Sequence, residues 1–213
     1  MIFDIGAYDG HKTAAFLRCS EKVVSVEPDP HNLAILKARF RNLPGRVQIE
    51  PSAVSNDIGQ TELFVHHPGS AFNTIQPAWR MILEADPGRR WSETIRFSEQ
   101  TITVPTTTLP ELVRKYGKPD FVKIDAEGSE WTILQQLKEP LRFISFECLL
   151  PDYLCNIKNC IHYLDKLHPQ TGFAIAVNEK LISGFLPAVE IIRYLDAGAL
   201  VHFEIVVRTD AVS

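Results

Sequence analysis

Two groups of residues in this 213-residue chain have types and spacings suited to chemistry. The first is Asp4-Ile5-Gly6-Ala7-Tyr8-Asp9-Gly10, where small residues let a ligand approach the backbone and acids flank them. Its glycines are spaced Gly-x-x-x-Gly rather than Gly-x-Gly-x-x-Gly, and acids beside the turn suit a cation better than a pyrophosphate. Glu27 follows, seventeen positions beyond Gly10, where a carboxylate can accept hydrogen bonds from both hydroxyls of a ribose. A nucleoside carrying positive charge but no phosphate satisfies both features. The second group is Lys123, Asp125, Glu127 and Glu130 in the run Phe121 to Glu130. Strand alternation puts Lys123 and Asp125 on one face, and the following turn presents Glu127. Such a cluster can bind a substrate hydroxyl, take up its proton, or hold a metal that does so. Glu130 reads instead as an acid serving the N-terminus of the next helix. Glu147 closes the apolar run Phe143 to Phe146 and needs a ligand, a metal or a basic partner if buried.

These residues need a scaffold that brings them to one crevice. Residues 2–5 and 22–27 are β-branched apolar runs, separated by a helix-like stretch holding Ala14, Ala15, Phe16 and Leu17. Asp29-Pro30 offers an N-cap and a first-turn proline, Leu33, Leu36 and Phe40 share a helical face, and Pro44-Gly45 ends it. Residues 46–54 read as a third strand, so the βαβαβ order requires a mostly parallel sheet with right-handed crossovers. Strands follow at 62–65 and 101–104. Thr108 to Glu111 form a capping box for a helix ending near Gly117. The strands at 121–125 and 143–147 flank a helix from about 129 to 137, a helix at 154–164 precedes a strand at 173–177, and the sheet is expected to continue past residue 100. Residues 200–207 alternate, with Val201, Phe203, Ile205 and Val207 opposite His202 and Glu204, which suits an antiparallel edge strand.

Between these elements, 66–100 reads as an insertion or lid within one domain spanning 1–213. Ser70, Asn73 and Thr74 form a polar loop placed to close over a substrate, with turn chemistry as the plainer account. His66 and His67 could serve as ligands or bases, but beside a Pro-Gly turn they read as surface residues. Arg80, Arg89, Arg90 and Arg96 read as a solvated face, with an anionic substrate as the alternative.

Composition narrows the classes. Lys plus Arg number 22 against 26 Asp plus Glu, a net charge of -4, so no overall basic field attracts nucleic acid. No apolar run is long enough to span a membrane, and no secretory signal precedes the first strand, so a cytoplasmic protein is expected. The four cysteines form neither a CxxC pair nor a dense framework and are expected to be reduced, with Cys155 and Cys160 simply part of a helix.

Taken in order, Asp4 to Gly10, Val26-Glu27-Pro28-Asp29, Ser52-Ala53-Val54 with Gly59, Val104 to Leu109, and above all Val122-Lys123-Ile124-Asp125-Ala126-Glu127-Gly128-Ser129-Glu130 resemble the FkbM-type methyltransferases. The resemblance runs over residues 2–147. It implies an α/β, Rossmann-like class I methyltransferase fold: a mostly parallel seven-stranded sheet, helices on both faces and an antiparallel last strand. It also implies S-adenosylmethionine as methyl donor and O-methylation of a hydroxyl on a saccharide or small natural product. By position, Asp4, Gly6 and Gly10, with Asp9 nearby, would face the methionine part of the donor. Glu27 would hold the ribose, Ser52 and Ala53 would lie by the adenine, and Asp125 would sit near the amino group or the transferred methyl.

The expected catalytic set is therefore Asp125, Glu127 and Lys123, with Ser70, Asn73 and Glu147 toward the acceptor. A divalent metal held by carboxylates is an alternative way to activate the hydroxyl, which the sequence does not establish. The chain departs from the common family form at Tyr8-Asp9-Gly10 and in the segment 76–100. Because a strand begins at residue 2, acceptor recognition is expected from 66–100, the C-terminal third or a partner chain. The rival readings are a NAD-dependent oxidoreductase, opposed by the missing third glycine, and an inactive methyltransferase-like binding module. Acceptor identity and oligomeric state are left open.

Overall fold

The computed structural model describes residues 1–85, 94–198 and 200–209. Its first half runs β1 (Ile2–Ile5), α1 (His11–Phe16), β2 (Val23–Val26), α2 (Pro30–Arg39), β3 (Val47–Glu50), β4 (Ala53–Val54), β5 (Gly59–Phe64) and α3 (Pro77–Ala85). The second continues with β6 (Thr101–Thr107), α4 (Leu109–Tyr116), β7 (Phe121–Ile124), α5 (Glu130–Leu134), β8 (Phe143–Leu149) and α6 (Leu154–Leu167). It closes with β9 (Thr171–Val177), β10 (Lys180–Leu181), α7 (Ala188–Asp196) and β11 (His202–Thr209).

Local chemistry accounts for the element ends. Asp29 caps α2, its side chain accepting from the His31 N–H at 2.7 Å, with Pro30 in the first turn. Thr108 caps α4 through the Glu111 N–H at 3.2 Å, and Gly117 ends that helix at φ +96°. Strands β1 and β2 are buried at every residue, as sheets covered on both faces require.

The large sheet has eight strands in the order β10-β9-β11-β8-β7-β1-β2-β3. Strands β8, β7, β1, β2 and β3 pair in parallel, whereas β11 is antiparallel to both its neighbours. This is the class I methyltransferase architecture expected from the sequence, with the two-residue β10 folded back on β9 as an eighth strand. From β1 the chain steps to β2 and β3 on one side, then crosses to β7 and β8 on the other. Right-handed crossovers consequently put α1 and α2 on one face and α4, α5 and α6 on the opposite one.

Three expectations are corrected. Strand β11 is not at an edge but lies between β8 and β9. Its alternation reports which face is covered and carries no information on whether its two edges are paired. The stretch 46–54 is not one strand, because Pro51 has no N–H to continue the ladder. The chain turns there, and β4 joins β6 instead. Finally, the strands expected at 62–65 and 101–104 do not extend the large sheet but form β5 and β6 of a separate three-stranded one, ordered β4-β6-β5.

Helix α3 rises from the segment read as irregular and buries Trp79 and Leu83. The Arg89-Arg90 pair falls outside the described residues. Cys148 and Cys160 are buried, Cys19 and Cys155 are exposed, and all four are free thiols. Among the described residues, no helix is long and apolar enough to cross a membrane.

One apolar cluster joins the sheet to its helices and includes Phe3, Phe146, Ile133, Ile161 and Ile205, all essentially without solvent exposure. Truncating Phe146 to Ala is expected to lower stability by about 3–5 kcal/mol. Urea denaturation would register this as an earlier midpoint with an unchanged slope.

Candidate active site

Strands β2 and β7 flank β1 but are reached by connections running in opposite directions, so a crevice opens where the chain parts. A cleft of about 240 Å³ lies there, at the carboxyl ends of the strands. Gly6 and Tyr8 line it from the turn after β1, Glu27 from β2, Ser52 and Ala53 from the chain beyond β3, and Asp125 and Glu127 from β7. Gly6 rests directly on the backbone after β7: a Cβ there would stand 1.7 Å from the Asp125 carbonyl oxygen, and its φ is +73°. Only glycine satisfies both conditions. The same turn is bonded to its other neighbour, with the Gly6 and Ala7 N–H groups donating to the Val26 carbonyl at 3.0 and 3.1 Å. Tyr8 and Glu127 hold φ of +51° and +47°, the kind of sparsely populated backbone that concentrates at ligand sites.

Lys123 ties the two loops from below. Its ammonium donates to the Gly6 carbonyl at 3.0 Å and lies 3.0 Å from Asp125 and 3.7 Å from Asp4. Burial opposes its charge, yet Asp125 and then Asp4 outweigh burial and hold its pKa above the usual lysine range. Lys123 therefore keeps its proton and acts as a cation, not a base. Asp4 is fully buried behind the cleft, with Oδ2 accepting from the Thr13 hydroxyl at 2.6 Å.

Glu27 is held for binding. The Tyr8 and Asp29 N–H groups donate to its two oxygens, each at 2.9 Å. Burial nonetheless pushes its pKa up to about 7, against the relief these hydrogen bonds give. Two side chains beside it carry buried oxygens without a partner, Ser52 Oγ and Asn32 Oδ1, and both residues line the cleft.

The polar loop at 66–76 is a strap fixed to both walls. On the β2 side, Asp29 Oδ2 accepts from the Gly69 N–H at 3.0 Å and from Asn73 Nδ2 at 2.6 Å. On the β7 side, the Thr74 hydroxyl donates to the Glu127 carbonyl at 2.7 Å and Gln76 Nε2 to Ser129 Oγ at 3.0 Å. Trp79 adds its indole N–H to the Glu127 carboxylate at 2.7 Å. Asn73 also accepts from the His66 N–H, and Ser70 Oγ accepts from the Phe72 N–H while meeting His66 Nδ1 at 3.0 Å. Ser70 and Asn73 thus line the cleft with their polar atoms already engaged in holding the strap.

Asp125, Glu127 and Glu147 converge, each offering a carboxylate oxygen within 4.8 Å of the others. Three such oxygens suit a divalent cation or an ammonium group. Burial first, then the neighbouring carboxylates Glu147 and Asp125, push Glu127 well above the usual range. Glu147 is raised by burial and by Asp125, against the hydrogen bond from His202 Nε2 at 2.6 Å. Glu130 accepts from the Ala126 N–H at 3.1 Å, and burial pushes its pKa up to about 8.

Of the residues singled out from sequence, Asp125, Glu127, Lys123, Gly6, Glu27, Ser52, Ala53, Ser70 and Asn73 line this one cleft, whereas Asp4, Asp9, Gly10 and Glu147 do not. Asp9 accepts from the His11 N–H and pairs with Arg39, and Gly10 packs against Leu36 and Phe40. Sequence reading missed Asn32, Trp79 and His202. Trp79, Ile82 and Leu83 fall at helical spacing and carried a usable signal. Asn32 and His202 carried none, since their importance depends on tertiary contacts.

The buried acids fix the sign of a pH dependence. Glu27 and Glu130 hold protons up to about 7 and about 8 in the folded chain, against 4.5 when free. Between those limits the folded state binds more protons than the unfolded one, so stability falls as pH rises. The melting temperature without ligand is therefore expected to fall steadily from pH 5 to pH 8. Glu130→Gln should flatten the drop, as thermal denaturation across that range would show.

Comparison with known proteins agrees with the fold. The model of the methyltransferase FkbM domain family matches residues 4–165. No curated protein matches the chain. Among solved structures, the FkbM methyltransferase of Methylobacillus flagellatus superposes with a TM-score of 0.53 at 14% identity, over 84% of this chain and 40% of that one. This chain thus spans less than half the length of that protein. The StiE O-MT structure gives 0.47 at 10% identity, over 100% of this chain and 68% of that one. The precorrin 8w decarboxylase of Methanobacterium thermoautotrophicum gives 0.46 at 10% identity, over 98% and 80%. With that model matched from Asp4 through β8 and into α6, the chain belongs to the FkbM methyltransferase domain family.

Proposed function

We propose that this protein transfers a methyl group from S-adenosylmethionine to a hydroxyl of a saccharide or small natural product. The observation that carries the reading is Glu27, a cleft-lining carboxylate fixed by two backbone N–H groups where a ribose would lie. The cleft fits such a nucleoside, because Ser52 Oγ and Asn32 Oδ1 are buried polar atoms awaiting partners. When bound, the donor supplies a methyl group activated by its sulfonium charge. Gly6 and Ala7 line the cleft with little side chain, which leaves room for the amino-acid end, and the acids after β7 favour its positive charge.

Asp125 is the proposed base. It is partly exposed at the mouth of the cleft, whereas the Glu127 carboxylate is occupied by Trp79. As the acceptor oxygen forms its bond to the methyl carbon and the carbon–sulfur bond breaks, the hydroxyl proton passes to Asp125. Lys123 fixes the position of that carboxylate, and alignment of the reactants supplies most of the acceleration. Glu147 and the strap bearing Ser70 and Asn73 are proposed to bound the acceptor, with 66–100 as its cover in a single domain. The acidic balance supports a small-molecule acceptor over nucleic acid, and the four free thiols support a cytoplasmic setting.

Thermal shift separates this from the nicotinamide alternative: S-adenosylhomocysteine at 100 times its Kd is expected to stabilise by about 2.7 kcal/mol, and NAD not at all. Glu27→Ala should weaken donor binding by about 1.5–3 kcal/mol in calorimetry. Asp125→Ala should lower methyl transfer by far more than it weakens donor binding. Unchanged turnover with reduced donor binding would reject its role as base.

A further inference from the structure

The carboxylate of Glu27 has about four lone-pair directions, and this chain occupies most of them. The Tyr8 N–H takes one oxygen and the Asp29 N–H the other. The Asn32 side-chain amide lies beside the same carboxylate and favours its charge, the least of the contacts that do so. About one direction remains, too few for both hydroxyls of a ribose. Asn32, however, is 2% exposed and lines the cleft, and its carbonyl oxygen Oδ1 is buried without any partner. A buried acceptor left in that state is costly, and natural structures rarely leave one without a reason.

We infer that Asn32 reads the donor's ribose together with Glu27: Glu27 accepts one of the two vicinal hydroxyls and Asn32 Oδ1 accepts the other. The inference rests on the donor proposed above and deepens it by dividing ribose recognition between two residues. Asn32 stands in the first turn of α2, five residues beyond Glu27, and Asp29 caps the same turn. Its amide is therefore set in a rigid frame beside Glu27, with the oxygen left for the ligand. The Gly69 backbone sits close by: a Cβ on Gly69 would stand 3.1 Å from Asn32 Oδ1. The strap thereby covers the subsite from above.

Calorimetry with S-adenosylhomocysteine and its 2′-deoxy and 3′-deoxy analogues tests this without an acceptor. On the unaltered chain, removing either hydroxyl should weaken binding at least fivefold, because each has its own acceptor. If either can be removed without loss, the inference is overturned. Asn32→Ala should weaken the parent ligand five- to tenfold, yet weaken by less than twofold the analogue lacking the hydroxyl that Asn32 accepts. Equal weakening of all three ligands by Asn32→Ala would make Asn32 a mere prop for Glu27 and also overturn it. Should that variant fold poorly by circular dichroism, Glu27→Gln is compared instead: it should still discriminate against the analogue lacking the hydroxyl that Asn32 accepts, and loss of discrimination for both hydroxyls would overturn the inference. Absence of binding of S-adenosylhomocysteine to the unaltered chain would overturn the donor reading and this inference with it, whereas binding insensitive to both hydroxyls overturns only the inference.

Discussion

One buried ammonium holds the site together. Lys123 belongs to β7, yet its three contacts reach the Gly6 carbonyl and Asp4 on the β1 side and Asp125 on its own. Without that cation, fully buried Asp4 would keep only the Thr13 hydroxyl against the cost of desolvation, and Asp125 would lose its ion pair. A buried ion pair of this kind adds little net stability, since desolvation consumes most of the attraction. What it does supply is placement, fixing the turn after β1 against the turn after β7 to within a hydrogen bond. Gly6 completes the fit by bringing the two backbones into contact.

The rest of the cleft is built outward from that junction. Glu27 is anchored to the β1 turn through Tyr8, and Asp29 continues the wall as both a helix cap and the tether of the strap. The strap then crosses to Glu127, so donor wall and acid cluster are mechanically one unit.

Much of this was legible in the sequence, for identifiable reasons. Runs such as Val23 to Val26 and Phe121 to Ile124 are short, β-branched and bounded by turns, so the strands and their order could be read directly. The Asp29-Pro30 and Thr108 to Glu111 signals marked helix starts that the structure keeps. Alternation alone put Lys123 beside Asp125. It did not place Asp4, because β1 is buried on both faces and carries no alternation; the link appears only in the register that sets Asp4 opposite Lys123. The contact of His202 with Glu147 likewise depends on how β11 docks on β8 across two intervening helices and a hairpin. Asn32 and the strap belong to the same class, since both acquire meaning from groups distant in the chain.

The crowded carboxylates around β7 and β8 have an evolutionary consequence. Glu127, Glu130 and Glu147 are all held above their ordinary range, chiefly by burial, so the unliganded fold carries a standing penalty at neutral pH. Neutral replacements at these positions would relieve it, and they are among the simplest routes by which a chance mutation could toughen this domain. Selection for heat resistance alone would therefore act first on this cluster of acids.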